Sequence, residues 1–262
     1  MTRVPFVIAE QSGTHEGVLD RMLDGIAVAK ACDADAWKTW WCSSAAKAAA
    51  RVHAPELVES YRAGEFPPSW LAVLRDATTR AGLELLVTVD CPEDIEVVAP
   101  YVDRFKIASW GATDRDFFYA HAKHGKPIII STGTCSMLEA DNIGALDYEP
   151  PVWRLHCVSA YPAPLAECNL LAIRHRLLDG FSDHTANVVT GSLAVAAGAR
   201  VLEVHFRHDE TSPTHPDYPV SLSPSQLEEY VYWARLAAVA MGDGVKRVMP
   251  SERENVRYRY VV

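Results

Sequence analysis

Two histidines stand 21 residues apart, each at the end of a short apolar run. His184 closes the run Gly180–His184, and His205 lies in the run Val201–Phe206, with a glycine- and alanine-rich segment between them. This spacing predicts one strand–helix–strand unit, which brings both imidazoles to the same rim of a parallel sheet. Two converging imidazoles are natural ligands of a divalent transition metal. A metal at the carboxyl ends of barrel strands is typical of catalysis.

Short apolar or β-branched runs alternate with segments of helical periodicity along the whole chain. The alternation predicts an α/β fold, and eight such runs predict a (β/α)8 TIM barrel, which we expect to form a single domain over residues 1–262. The connection Cys42–Pro68 is longer than a usual strand-to-helix loop, so we expect it to cover the site. The predicted strands are Val4–Glu10, Asp35–Trp41, Glu84–Asp90, Arg104–Ser109, Pro127–Thr132, Val152–Ser159, Gly180–His184 and Val201–Phe206.

Polar residues recur at or near the carboxyl end of every predicted strand. Any one of them could be a core residue whose hydrogen bonds are satisfied, but packing does not explain a polar residue at the end of all eight strands. The set therefore predicts an active site at this rim of the barrel. Its members are Glu10, Lys38, Thr88, Lys106, Ser131, His156, His184 and His205.

Composition narrows the functional class. The net charge is −9, and no basic stripe is present, which argues against a nucleic-acid polymer as partner. The first strand begins near residue 4 and no apolar run is long enough to span a bilayer, so we expect neither a signal peptide nor membrane insertion. Six cysteines without a CxxC pair are typical of free thiols in a cytoplasmic protein.

Seven segments, in order along the chain, resemble the N-acetylneuraminate (sialic acid) synthase family, which includes legionaminic and pseudaminic acid synthases. The resemblance covers nearly the whole chain. The segments are Ile8–Gly17, Lys106–Ser109, Gly125–Gly133, Leu155–Pro164, Phe181–Thr185, Glu203–Phe206 and Pro216–Leu222.

The resemblance implies a reaction in which phosphoenolpyruvate joins the open-chain aldehyde of an N-acetylated hexosamine and phosphate is released. It also implies a divalent metal at the aldehyde oxygen, usually manganese, with magnesium or cobalt as alternatives. His184 and His205 would hold the metal. Asp217 would orient a water or add an oxygen ligand, and Glu10 would orient water or act as acid or base.

The resemblance further implies a substrate-binding set. Lys38 and Lys106 supply compact positive charge for phosphoenolpyruvate, and Gly133 lets the backbone approach an anion closely. His156 is expected either to orient a ligand or to be structural, and His15 either to line the site or to cap local backbone. The hydroxyl residues of the set are Thr88, Ser109, Ser131, Ser182, Ser159 and Tyr161, with Ser159 standing where an asparagine is common in the family.

The departures from the family pattern concern the acceptor side. The family has lysine-phenylalanine-glutamine where this chain has Lys38-Thr39-Trp40, followed by Trp41, so a tryptophan replaces a polar amide. The acidic residue that is common after the lysine-x-x-serine-glycine block is missing from the run Ser109-Trp110-Gly111, so we expect a carboxylate to be lost near the sugar. Thr14 replaces an asparagine. We therefore expect an acceptor other than plain N-acetylmannosamine, with Trp40, Trp41 and Trp110 forming an aromatic wall; otherwise they pack helices or a dimer interface.

Other interpretations remain open from sequence alone. The chain could be a barrel metalloenzyme with a different donor, such as an aldolase or hydrolase, or a catalytically silent sugar-binding barrel. The bacterial relatives continue into an antifreeze-like domain that gives an arginine to the partner's site. Since the sequence here ends shortly after Asn255, we expect the barrel alone, as a homodimer through barrel faces.

Overall fold

Eight parallel strands close into a barrel in the order of the sequence, from β1 to β8 and back to β1, in a computed structural model. The structure describes residues 4–146, 148–176 and 178–260. The predicted TIM barrel is therefore confirmed. The strands are β1 Phe6–Ser12, β2 Ala36–Trp40, β3 Glu84–Thr88, β4 Arg104–Ile107, β5 Ile128–Ser131, β6 Val152–Cys157, β7 Gly180–Asp183 and β8 Val201–His205.

Helices occupy the connections between strands. Several begin directly after a side chain that accepts a hydrogen bond from the first turn, namely Ser44, Asp114, Ser136 and Ser223, which fixes where each helix starts. The helices are α1 Leu19–Ala31, α2 Ala45–Arg51, α3 Val58–Tyr61, α4 Ser69–Ala81, α5 Pro92–Val98, α6 Arg115–Ala122, α7 Met137–Gly144, α8 Leu171–Arg176, α9 Thr190–Ala197 and α10 Pro224–Met241.

Strand alternation divides the core into an outer and an inner layer. Outward residues such as Val7, Trp37 and Phe105 pack beneath the helices in one large cluster. Inward residues form a separate apolar plug inside the barrel, made of Ile8, Ala36, Leu86, Ile129, Leu155 and Val201.

The next inward position on each of several strands, two residues further along, is polar. Ile8 is followed by Glu10, Ala36 by Lys38, Leu86 by Thr88, Ile129 by Ser131 and Val201 by Glu203. The apolar plug thus forms the floor of a polar chamber that opens at the carboxyl ends of the strands.

The long connection after β2 is folded rather than open. It contains α2, α3 and two 3-10 turns, and its end is held to its start, since the Trp41 indole nitrogen donates to the Phe66 carbonyl at 2.9 Å. Residues 242–260 extend beyond α10, and each of them is exposed. None of the helices described is both long and apolar enough to cross a membrane.

Candidate active site

The carboxyl ends of the strands surround a cavity of about 440 Å³. The structure brings most of the predicted site residues to this one cavity, while Ser159, His156 and Trp41 lie outside it. The predicted residues that line it are Glu10, Lys38, Trp40, Thr88, Lys106, Ser109, Ser131, Tyr161, Ser182, His184, His205 and Asp217.

His184 and His205 lie side by side, with ring centroids 5.2 Å apart and planes at 71°. His184 Nδ1 lies 2.9 Å from the Val158 carbonyl oxygen, which can only accept a hydrogen bond, so Nδ1 carries the proton and Nε2 is free to bind a ligand. Tyr161 stacks on the same ring at 4.3 Å and holds its orientation. The hydrogen bond to the Val158 carbonyl thus fixes the ring and leaves Nε2 in the position that metal-binding histidines use.

His205 is a second imidazole without a protein partner for one of its nitrogens. Its Nδ1 is buried and makes no hydrogen bond within the described ranges. Burial, followed by the neighbouring His184, lowers the pKa of His205 to about 3, so its ring is neutral at pH 7, which is the form that binds metal. The two imidazoles therefore fit a divalent metal that takes mixed nitrogen and oxygen ligands.

The protein supplies only part of such a coordination shell. Over residues 4–146, 148–176 and 178–260, no group of three histidine, cysteine, aspartate or glutamate side chains is arranged to hold a metal ion. A metal bound by His184 and His205 would complete its shell with water and substrate oxygen atoms, as an open catalytic site requires.

Two lysines and two glutamates form a buried charge cluster at the base of the cavity. The Lys38 ammonium pairs with the Glu10 carboxylate and lies 3.8 Å from Glu203 Oε2, while Lys106 Nζ lies 3.4 Å from Glu203 Oε1. The strand register creates this cluster, since Glu10 stands opposite Lys38 on β2 and opposite His205 on β8. The four charges balance, so the site retains its cations without a bound anion.

Glu203 is a site residue that the sequence analysis did not identify. Its side chain is almost fully buried, bridges both lysines and accepts a hydrogen bond from Ser182 Oγ at 2.9 Å. Burial alone would raise the pKa of Glu203, but Lys106 and Lys38 hold it down at about 2. Strand alternation contained the signal, because Glu203 lies two residues before His205 on the same inward face.

Several buried hydroxyls around this cluster lack partners. Thr88 Oγ1, Ser131 Oγ and Ser159 Oγ make no hydrogen bond within the described part of the chain. Ser109 Oγ accepts from the Gly133 backbone N–H at 3.1 Å and also interacts with the Cys157 thiol. Since buried polar groups are normally paired, unpaired hydroxyls beside two ammonium groups indicate a site that a ligand with many acceptor oxygens completes.

Ser159 lies just behind this wall of hydroxyls. A Cβ at position 133 would overlap Ser159 Oγ and approach Ser109 Oγ to 2.8 Å, so only glycine fits there. Ser159 therefore contacts the Gly133 turn instead of lining the cavity itself.

The two candidate acid–base residues differ in what they contact. Glu10 uses both oxygens, one with Lys38 and the other accepting from the Ser12 backbone N–H at 2.6 Å. Asp217 lies at the start of a 3-10 turn and also lines the cavity, and its carboxylate makes no hydrogen bond or ion pair with any described residue. Of these two carboxylates, that of Asp217 is thus the one whose oxygens remain available to water or substrate.

Aromatic side chains line one side of the cavity, but they are not all the residues that the sequence predicted. Trp40 and Trp110 line the cavity, whereas Trp41 points outward and is buried against Phe66, so its assignment to the wall is wrong. Strand alternation explains this, since Lys38 and Trp40 are inward and Trp41 is not. Tyr61 from α3 takes the third place, with its ring 4.6 Å from that of Trp40.

A carboxylate from a different strand end stands beside Trp40 in the cavity wall. Asp90, two residues after β3, lines the cavity and accepts a hydrogen bond from Trp40 Nε1 at 2.8 Å. Burial raises the pKa of Asp90 to about 6. Asp90 is the last residue of the predicted strand Glu84–Asp90 and has the same parity as the inward Leu86 and Thr88, so strand alternation contained this signal as well.

The two uncertain histidines lie outside the cavity. His156 stacks on Phe181 and its Nε2 lies 2.7 Å from the Cys168 carbonyl oxygen. His15 is fully buried, accepts from the Gly17 backbone N–H at 3.0 Å and packs edge-on against Phe66. Both contacts are structural. His215, in contrast, lines the cavity beside Asp217.

Comparison with known proteins agrees with this geometry. A family model described as the NeuB family matches residues 26–246. The pseudaminic acid synthase of Campylobacter jejuni is 31% identical over 259 residues, which cover 91% of this chain and 75% of that protein. The N,N'-diacetyllegionaminic acid synthase of Legionella pneumophila is 31% identical over 275 residues, covering 95% and 76%. A crystal structure of the N-acetylneuraminic acid synthetase of Leptospira borgpetersenii superposes with a TM-score of 0.88 at 26% identity, covering 98% of this chain and 92% of the other.

Proposed function

This chain belongs to the NeuB family, and from that membership we propose that it is a metal-dependent synthase that joins phosphoenolpyruvate to a sugar-like aldehyde. The C3 carbon of phosphoenolpyruvate forms the new bond to the aldehyde carbon. Water adds to C2, the C2–O bond to phosphate breaks, and a 2-keto-3-deoxy acid and inorganic phosphate leave.

The observation that carries this proposal is the pairing of an anion site with two metal-competent imidazoles in one cavity. Lys38 and Lys106 provide fixed positive charge, and the free hydroxyls of Thr88 and Ser131 provide donors for phosphate and carboxylate oxygens. A neutral donor would have no need of these cations.

His184 and His205 would hold the divalent metal, for which we propose manganese, with magnesium and cobalt as alternatives. When bound, it supplies Lewis-acid polarisation of the aldehyde oxygen. Tyr161, stacked on His184, keeps the imidazole plane fixed and shields it from solvent.

Asp217 and Glu10 divide the proton chemistry. Asp217 has a free carboxylate, so we assign it the role of accepting the proton of the water that adds to C2. Glu10 is held by Lys38 and the Ser12 amide, so we assign it to fixing the ammonium group and orienting water. Ser182 supports the cluster through Glu203.

On the acceptor side we propose a substrate other than plain N-acetylmannosamine. Trp40 and Trp110 present aromatic surface to the acceptor, which suits a flat or apolar portion of the molecule. Ser109 and Ser159 both lie against the Gly133 turn, and we assign them to the substrate-binding set at this turn.

Phosphate release tests the proposed reaction. Metal-loaded protein is incubated with phosphoenolpyruvate and a panel of sugar and sugar-like aldehydes, with His184→Ala as the inactive variant and His175→Ala, which alters an exposed histidine, as its control. Release that requires both an acceptor and His184 supports the synthase. A manganese-loaded protein that releases no phosphate with any acceptor would refute the proposal and favour a different donor or a silent barrel.

We further propose a cytoplasmic homodimer. The six cysteines are all free thiols, which fits a reducing compartment, and α10 exposes apolar side chains that include Tyr232 and Leu236. A monomer mass by light scattering would contradict the dimer.

A further inference from the structure

The Asp90 carboxylate lies on the acceptor side of the cavity without a cation partner. One oxygen accepts from the Trp40 indole N–H, and no ion pair within 4.0 Å involves Asp90 anywhere in the described ranges. The indole is a neutral donor, so it satisfies one lone pair and leaves the charge uncompensated. A carboxylate shielded from water is costly unless a positive charge accompanies it.

The nearest cations are engaged elsewhere. Lys38 pairs with Glu10, and the Arg51 guanidinium binds Asp114 at 2.6 Å and lies over the Phe117 ring. Their fields reach Asp90 from a distance and lower its pKa, but burial outweighs them. Asp90 therefore remains, like Asp217, a carboxylate in the cavity wall that pairs with no cation among the described residues.

Aromatic surface accompanies this charge. The Trp40 ring is fixed by its bond to Asp90 and by contact with Tyr61, and Trp110 lines the same cavity while remaining 50% exposed. The faces of tryptophan and tyrosine attract cations, most strongly where water is partly excluded. A carboxylate beside aromatic faces is the combination that recognises ammonium groups.

From this juxtaposition we infer that the acceptor carries a free, protonated primary amine that pairs with Asp90 and lies against Trp40 and Tyr61. The acceptor class is then an amino-sugar aldehyde whose amine is not acetylated. This inference rests on the proposed synthase function and names the substrate class of the same site. An N-acetyl group carries no charge, so it would leave Asp90 uncompensated.

Binding of unreactive acceptors tests the inference apart from catalysis. The probes are open-chain alditols of monoamino hexoses, a series in which the amine occupies each carbon of the chain in turn. Each probe is titrated into manganese-loaded protein in a calorimeter. Each is compared with its N-acetyl and its hydroxyl counterpart. We expect at least one free amine to bind about tenfold or more tightly than both counterparts.

Variants connect this preference to the residues. Asp90→Asn keeps an oxygen that can accept from Trp40 but removes the charge, so it should abolish the amine preference and leave affinity for the N-acetyl compound within about twofold. Glu93→Gln removes an exposed carboxylate three residues away and should change nothing. Tyr61→Leu, as a second variant, should reduce the preference about threefold.

The outcomes separate this inference from the proposed function. If every N-acetyl or hydroxyl compound binds as tightly as its amine, or if Asp90→Asn retains the preference, the inference is wrong. Phosphate release with N-acetylated aldehydes alone would overturn it while leaving the synthase intact. An Asp90-dependent amine preference without phosphate release would instead uphold the ammonium site and remove the proposed donor chemistry.

Discussion

The two halves of the cavity are built from different parts of the fold. The half with Lys38, Lys106 and Glu203 is made of strand residues, nearly all buried and joined to one another by ion pairs. The half with Tyr61 and Trp110 is made of a short helix and a 3-10 turn, is aromatic, and is partly exposed. Strand register fixes the first half within a closed barrel, whereas the second half depends on how one connecting segment packs.

The difference indicates a division of labour. A site for one constant anionic donor benefits from rigid, pre-organised charges, because little is lost in ordering them at each turnover. A site on connecting segments can change shape and composition without disturbing the barrel. Changes in the strand half should therefore affect phosphoenolpyruvate, and changes in the segment half should affect the acceptor.

Lys106→Gln is expected to give the largest difference between the effect on phosphoenolpyruvate kinetics and the effect on acceptor kinetics. Loss of a buried ammonium that faces the donor should lower kcat/KM for phosphoenolpyruvate roughly a hundredfold. The KM for the acceptor should stay within about twofold. Steady-state kinetics with each substrate varied in turn measures both, and Lys123→Gln, at an exposed lysine paired with Glu96, serves as the control. Equal losses for both substrates would break the proposed division.

Glu203→Gln should have the next largest effect, again confined to the donor. Glutamine can still accept from Ser182, but both lysines lose their counter-ion and their fixed positions, so kcat/KM for phosphoenolpyruvate should fall roughly tenfold or more. Glu84→Gln, which removes a carboxylate paired with Arg104 at the opposite end of the barrel, is the matched control. If Glu203 only competed with the donor for the lysines, phosphoenolpyruvate would bind more tightly in the variant.

Gly64→Ala should affect the opposite half. A Cβ at residue 64 would overlap the Trp40 ring, so the ring must move and break its contacts with Asp90 and Tyr61. The KM for the acceptor should rise about tenfold and the free energy of unfolding should fall by about 1–3 kcal/mol. Thermal unfolding and acceptor kinetics measure the two effects. A change in the KM for phosphoenolpyruvate of the same size would contradict the separation of the halves.

The smallest expected effect is a pH dependence of the donor half. Burial lowers the pKa of Lys38 to about 7, and Glu203 opposes this shift. The ammonium form is present below that pKa and is lost above it, so the affinity for phosphoenolpyruvate should fall several-fold as the pH rises through about 7 to about 9. Lys38→Gln has no charge to lose and should bind weakly with little further decline. A wild-type affinity that stays constant over this range would show that Lys38 remains charged.

The strand half was largely predictable from sequence, because two regularities determine it. Parallel register places strand ends together, and alternation assigns each residue to the inside or the outside of the barrel. Glu10, Lys38, Lys106 and His205 follow from these regularities, and a strict application of alternation would also have identified Glu203 and excluded Trp41.

The segment half escaped prediction for a physical reason. Tyr61 lies 21 residues beyond the end of β2, on a helix of one turn whose position depends on tertiary packing around Trp40 and Gly64. Asp90, in contrast, lies two residues past the end of β3 but keeps the inward parity of Leu86 and Thr88, so alternation could have indicated it. No local periodicity connects Tyr61 to the cavity, so only the folded chain reveals that it meets Trp40 there.

The segment between β2 and α4 also bears on how such an enzyme can diversify over evolutionary time. It contributes Leu57, Ser60 and Tyr61 to the cavity while adding no strand to the barrel. Insertions, deletions or recombination within it can therefore produce a new acceptor range in few steps, with the donor chemistry inherited unchanged. In relatives that use different sugars, we expect substitutions to accumulate first in this segment. The barrel strands should stay similar among those relatives.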